Sequence, residues 1–190
     1  MMKRGPGRPK VSSVETLSEA AIELFLEVGF ERVSIDDIAG RAGVSRGTFF
    51  TYFPGGKSDA LWCRVRPTLD AVQPSQDGPP VRACADALVS AVAPWEDRVP
   101  QVLRDAETMG ATEVLLASAG VHAAELSAVL AHRIAIGEDI LPESNRASGV
   151  AGALIGAAFG AIGAWARTPE GTAEEAVRAA VEPLVEALER

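Results

Sequence analysis

The chain has 190 residues, of which 47% are hydrophobic and 23% charged, and its formal net charge is −8. That balance is a soluble globular one, with length enough for a small N-terminal module and a larger body that buries a core. Two cysteines, Cys63 and Cys84, fall at no metal-ligand spacing, which argues against a disulfide scaffold or a zinc module and for reduced thiols in the cytoplasm.

The charge is unevenly spread. Residues 1–66 carry ten Lys and Arg against eight Asp and Glu, a balance of +2, and residues 67–190 carry eight against eighteen, a balance of −10. All three lysines lie in the first part. A local basic surface can still meet phosphate on an acidic chain, because only charges within a Debye length of about 8–10 Å act strongly.

Residues 1–11, MMKRGPGRPKV, are basic and rich in Gly and Pro, and predict a flexible arm. No apolar run follows the basic start, so a signal peptide is not expected. Arg4, Arg8 and Lys10 suit phosphate attraction, and Gly7-Arg8-Pro9 also suits a narrow minor groove.

Beyond the arm almost nothing alternates with period two, and apolar residues recur at three and four, which predicts an all-α fold. The first helix runs from Ser12 to Val28 on the stripe Ala20, Ala21, Leu24, Phe25 and Val28, and Gly29 ends it. A second, short helix starts at Ser34, whose Ser34-Ile35-Asp36-Asp37 opening resembles a capping box with Asp in place of Glu; Gly43 breaks it. Ser45 caps a third helix that Pro54-Gly55-Gly56 terminates. Further helices are expected over 57–72, 81–93, 96–108, 112–120, 122–139, 145–166 and 173–189, with Gln73–Pro80 a loop.

Residues 34–53 thus form two short helices joined by a tight turn. Ile35, Ile38, Ala39, Val44, Phe49 and Phe53 can pack one across the other, with Gly43 supplying the sharp bend. The last helix keeps an outer face of Arg46, Gly47, Thr48, Phe50, Thr51 and Tyr52. A stubby helix with small residues and a few polar ends is what a major-groove reader needs. Ser34 and Ser45 set helix starts where phosphate oxygens can dock, and Lys57 is a natural phosphate anchor.

Residues 12–62 resemble the N-terminal domain of TetR-type transcriptional regulators. The matching stretches are AAxELFxExGF over 20–30, VSIDDIAxRAGVSRGTFFTYF over 33–53, and then Pro54, Lys57 and Leu61. The resemblance implies a three-helix DNA-binding domain, a helical ligand-binding and dimerisation body of about six helices, and release from DNA by a small molecule. It places Arg46, Gly47, Thr48 and Tyr52 at groove-facing positions and Lys57 at the phosphate contact. Phe50 stands where the family often has Tyr, and the turn before Lys57 is one residue longer than usual. Thr48-Phe49-Phe50 followed by Trp62 resembles a subgroup associated with mycofactocin clusters, which implies an acyl-CoA effector. The expected organisation is an arm over 1–11, a DNA-binding domain over 12–56 and a ligand-binding and dimerisation domain over 57–190.

Residues 147–166 carry no charge, enough in principle to span a bilayer. On a helical wheel, however, Gly149, Gly152, Gly156, Gly160 and Gly163 share one sector of about 80°, opposite Val150, Leu154, Ile155, Phe159, Ile162 and Trp165. A smooth face for another helix and a bulky face for a core predict a dimer helix, not a membrane span. In the last helix Val177, Val181, Leu184, Val185 and Leu188 form one stripe, and Pro183 is expected to kink it or end its regular hydrogen bonding. The dimer interface is therefore expected on the five glycines with Val181, Leu184 and Leu188.

An effector pocket is expected between residues 60 and 166, lined by Trp62, Trp95, Leu103, Met109, Leu116 and Phe159, each of which ordinary core packing explains equally well. Few polar residues lie on those stripes, so an apolar or acyl-type effector fits better than a sugar. His122 and His132 are ten apart, and there is no HExxH, nucleophile elbow, phosphate loop or dinucleotide fingerprint. Neither enzymatic activity, nor a metal, nor a cofactor is expected. The expected partners are a double-stranded operator, a small-molecule effector and a second copy of the chain.

Overall fold

A computed structural model describes residues 14–189, so the proposed arm contacts Arg4, Arg8 and Lys10 lie outside the described residues. Those residues form ten α-helices and two short 3-10 turns, with no strand among them. Helix α1 (Val14–Val28) buries Leu17, Ala20, Ala21, Leu24 and Phe25, and Gly29 leaves it at φ 90°, a value that favours glycine. Val28 ends on the outside, 40% exposed, because its position turns away from the stripe.

Helix α2 (Ile35–Ala42) opens on a complete capping box, Ser34 and Asp37 each satisfying the other's backbone N–H. Gly43 closes it in the left-handed region at φ 72°, and α3 (Arg46–Tyr52) follows after two residues. The expected helix over 57–72 is two pieces, α4 (Lys57–Trp62) and α5 (Arg66–Asp70). Pro67 is the reason: lacking an N–H, it cannot continue the ladder but can open a new turn.

Helix α6 (Pro80–Val92) runs into a 3-10 turn at Ala93–Trp95. The helix expected over 96–108 shrinks to α7 (Gln101–Arg104), because Glu96 turns the chain at φ 52° and Pro100 bars helix from the residue before it. Conversely, the two helices expected over 112–139 are one, α8 (Thr112–Glu138), continuous through Gly120. A mid-helix glycine costs only about 1 kcal/mol relative to alanine, and burial of Leu115, Leu126 and Leu130 along one side exceeds that. Helices α9 (Asn145–Arg167) and α10 (Ala173–Leu188) complete the chain. Pro183 does not end α10; it sits on the exposed side, where water can serve the carbonyl that loses its partner.

Two cores result. The first joins α1–α4 to Val102, Met109, Ala111 and Leu115, so the reading unit draws on residues far beyond position 56. The second lies among α6, α8, α9 and α10, around Cys84, Leu88, Leu130, Leu154, Val177 and Val185. Trp95 and Leu69 touch both. Buried Arg133 donates to the carbonyls of Ser75, Gln76 and Gly78, fixing the 73–80 loop against α8. Helices α8 and α9 are each long and apolar enough to cross a membrane, but each packs one side into the second core.

Candidate DNA interface and effector cavity

Helix α3 is seated by its aromatic side. Phe49 is fully buried and Phe53 nearly so, their rings 5.3 Å apart, and together with Ile38 they lock α3 across α2. That fixes which side faces out: Arg46, Gly47, Phe50, Thr51 and Tyr52 are exposed. At Gly47 a methyl group would meet nothing nearer than Ser45 Oγ at 3.7 Å. Nothing inside the protein therefore requires a glycine there, and the open space is available to whatever approaches the helix.

The polar side chains of this face are already ordered. Ser45 Oγ accepts from the Thr48 N–H at 3.1 Å and lies 2.9 Å from the Thr48 hydroxyl. Thr48 is half-buried, its hydroxyl held beside Ser45 on the exposed side of the helix. Thr51 donates to the Gly47 carbonyl at 3.0 Å. Arg46 reaches over the Phe50 ring, 5.4 Å from its centre, and pairs with Asp36 on α2. Ser34 is spent on the capping box, donating to and accepting from Asp37, and these bonds hold the Asp37 carboxyl below its usual range.

Lys57 departs from expectation. Its ammonium turns inward, donating to the Phe30 carbonyl at 2.7 Å and lying 4.4 Å from the centre of the Phe30 ring. The carbonyl after α1 captures it before solvent does, so Lys57 is a strut of the fold instead of a projecting phosphate anchor. Nothing local announces this, because only the folded chain brings residues 30 and 57 together. The contacts that hold Arg46, to Asp36 and to the Phe50 ring, have no signal of their own in the sequence, whereas the three-residue spacing from Ser34 marks Asp37.

Below this unit lies a cavity of about 180 Å³. Trp62, Trp95, Leu103, Leu116 and Phe159 line it, as expected, joined by Leu69, Leu88, Leu126 and Ile162 from the helical stripes around them. Met109 does not: it is fully buried in the first core, drawn there by the Phe30 N–H, which donates to its carbonyl at 2.7 Å. Trp62 belongs both to the cavity wall and to the first core, and its indole N–H donates to Ser118 on α8 at 2.7 Å.

On α9 the glycines Gly149, Gly152, Gly156 and Gly160 are exposed, and a methyl at any of them would meet nothing within 4 Å. Gly163 is half-buried and lines the cavity instead. Val181, expected at a pairing surface, is 1% exposed inside the second core, because the stripe of α10 turns toward α6 and α9. Leu184 and Leu188 remain half-buried against that core. Among the described residues no group of three His, Cys, Asp or Glu could hold a metal.

Comparison with known proteins bears on this geometry. Residues 17–59 match the family model of bacterial regulatory proteins of the tetR family. A Mycobacterium tuberculosis protein named as a mycofactocin biosynthesis transcriptional regulator, MftR, is 47% identical over 47 residues. That match covers 25% of this chain and 24% of the relative. Two solved structures share the fold over nearly the whole chain. Thermus thermophilus FadR, a TetR-family transcriptional repressor solved with lauroyl-CoA, has a TM-score of 0.56 and 23% identity, covering 92% of this chain and 94% of that one. NalD, the secondary repressor of the MexAB-OprM multidrug efflux pump of Pseudomonas aeruginosa, has a TM-score of 0.55 and 22% identity, covering 91% and 93%.

Proposed function

We propose that this chain, whose residues 17–59 match the tetR family model, is a TetR-type DNA-binding regulator and not an enzyme, acting as a cytoplasmic, effector-released repressor. It grips a palindromic operator as a homodimer, with one α3 in each of two major-groove half-sites. Arg46, Thr51 and Tyr52 read or touch the DNA, Gly47 lets the helix come close, and Ser34, Ser45 and Thr48 hold the two helices in register. The arm over 1–11 adds phosphate attraction. The body over 57–190 binds the effector and pairs the subunits through the glycine face of α9 beside α10.

The observation that carries this reading is the division of α3 into a side locked by Phe49 and Phe53 and a side left open around Gly47. The apolar cavity supports an apolar or acyl-type effector. Release follows if the effector prefers the conformation whose two reading helices no longer match the half-site spacing, since only differential affinity can shift the balance. Trp62, which belongs both to the cavity wall and to the first core, passes the signal in this reading.

An electrophoretic shift assay with the DNA flanking its own gene tests the proposal. A discrete complex containing two chains per duplex is expected. A chain that leaves this DNA unshifted at concentrations where it is folded would instead be a small-molecule binder with an idle DNA module.

A further inference from the structure

Resting on the effector site just proposed, the inference concerns what that site can hold. Nineteen of the described residues line the cavity, and none of them is charged. Thr68 supplies the only side-chain hydroxyl among them, and the Trp62 N–H is committed to Ser118. An ionised headgroup drawn into such a space would lose its water and gain no partner. Size limits the choice as well: at about 180 Å³ the cavity is close to the apolar cavities of about 150 Å³ that stay dry and take benzene. Three aromatic side chains, Trp62, Trp95 and Phe159, supply ring faces and edges to the wall.

We propose that the effector is a small uncharged apolar molecule, of the size of a single substituted aromatic ring, carrying at most one hydrogen-bonding group for Thr68. A long-chain acyl thioester fits less well, because its charged carrier finds no cation among the described residues of the wall.

The chain carries its own reporter, because Trp62 and Trp95 line the cavity and Trp165 stacks on Trp95 with ring centres 6.5 Å apart. Intrinsic fluorescence of the full chain is titrated with toluene, with benzoate, its anionic counterpart of similar size, and with lauroyl-CoA. Toluene is expected to saturate the signal and to bind at least tenfold tighter than either of the others. Two variants on opposite walls, Ala119→Leu and Leu88→Phe, are expected to weaken toluene at least tenfold in whichever retains the helical circular dichroism of the parent. Benzoate or lauroyl-CoA binding as tightly as toluene, no saturable toluene signal, or undiminished binding in a folded wall variant each overturns the proposal. The titration is run without DNA and the shift assay without ligand. A chain that shifts its operator but ignores toluene therefore loses only this inference, and one that binds toluene but no DNA loses the regulator reading.

Discussion

Arg46 on α3 and Asp36 on α2 stand 3.1 Å apart, nitrogen to oxygen, on the same exposed face that Gly47 leaves open. The pair holds the guanidinium at the front of α3, and in the proposed complex the carboxylate competes with DNA for it. Both side chains are well exposed, so the pair contributes at most about 1 kcal/mol to folding.

Asp36→Asn should therefore leave the melting temperature nearly unchanged and tighten DNA binding by about 1 kcal/mol at low salt, an advantage that fades as salt screens it. Anisotropy titrations at two ionic strengths check this. Weaker binding by the variant would mean that Asp36 positions Arg46 rather than competing for it.

Met109 comes from the body yet is fully buried in the first core. Met109→Ala is expected to cost about 2–5 kcal/mol and to lower a single unfolding transition in urea. Separate transitions for the N-terminal unit and the body would show that this core is not shared.

The exposed glycine face of α9 should tolerate a side chain within one subunit and not between two. Gly156→Leu has room in the protomer, since nothing lies within 4 Å of the added carbon. Sedimentation should show a helical monomer where the parent is a dimer. A variant that stays dimeric would move the pairing surface elsewhere.

Cys84 is buried, its thiol pushed from an ordinary 9.0 up to about 12 by desolvation, with Arg133 opposing. The folded chain thus keeps a proton that the unfolded chain releases. The thiol's contribution is complete below pH 9 and is lost as pH rises from 9.0 toward about 12. Melting temperature should fall less steeply over that range in Cys84→Ala than in the parent. Parallel slopes would contradict the burial argument.

What could be read from residues alone was what local chemistry determines. Ser34, Asp37, Gly43 and Ser45 announce their caps and turn within a few positions, and Phe49 with Phe53 announces the buried side of α3. The apolar stripes likewise brought five of six expected residues to the cavity. What escaped was set by partners distant in sequence. Nothing near Lys57 foretells the Phe30 carbonyl, nothing near Met109 foretells its place in the first core, and Val181 shares its stripe with Leu184 although only Val181 disappears inside. Propensity is local and favours separate helices over 112–120 and 122–139, whereas the burial that carries α8 through Gly120 is tertiary.

The central claim is that α3 reads DNA through its open side. It is tested most directly by fluorescence anisotropy of the parent chain and Arg46→Ala, each titrated against the duplex flanking its own gene and against a shuffled duplex at one salt concentration. The parent is expected to prefer the flanking duplex by about 10³-fold or more, and Arg46→Ala, folded and still paired, to lose about 1–3 kcal/mol on that duplex alone. Equal affinity of the parent for both duplexes, or an Arg46→Ala chain that binds as the parent does, would contradict that claim.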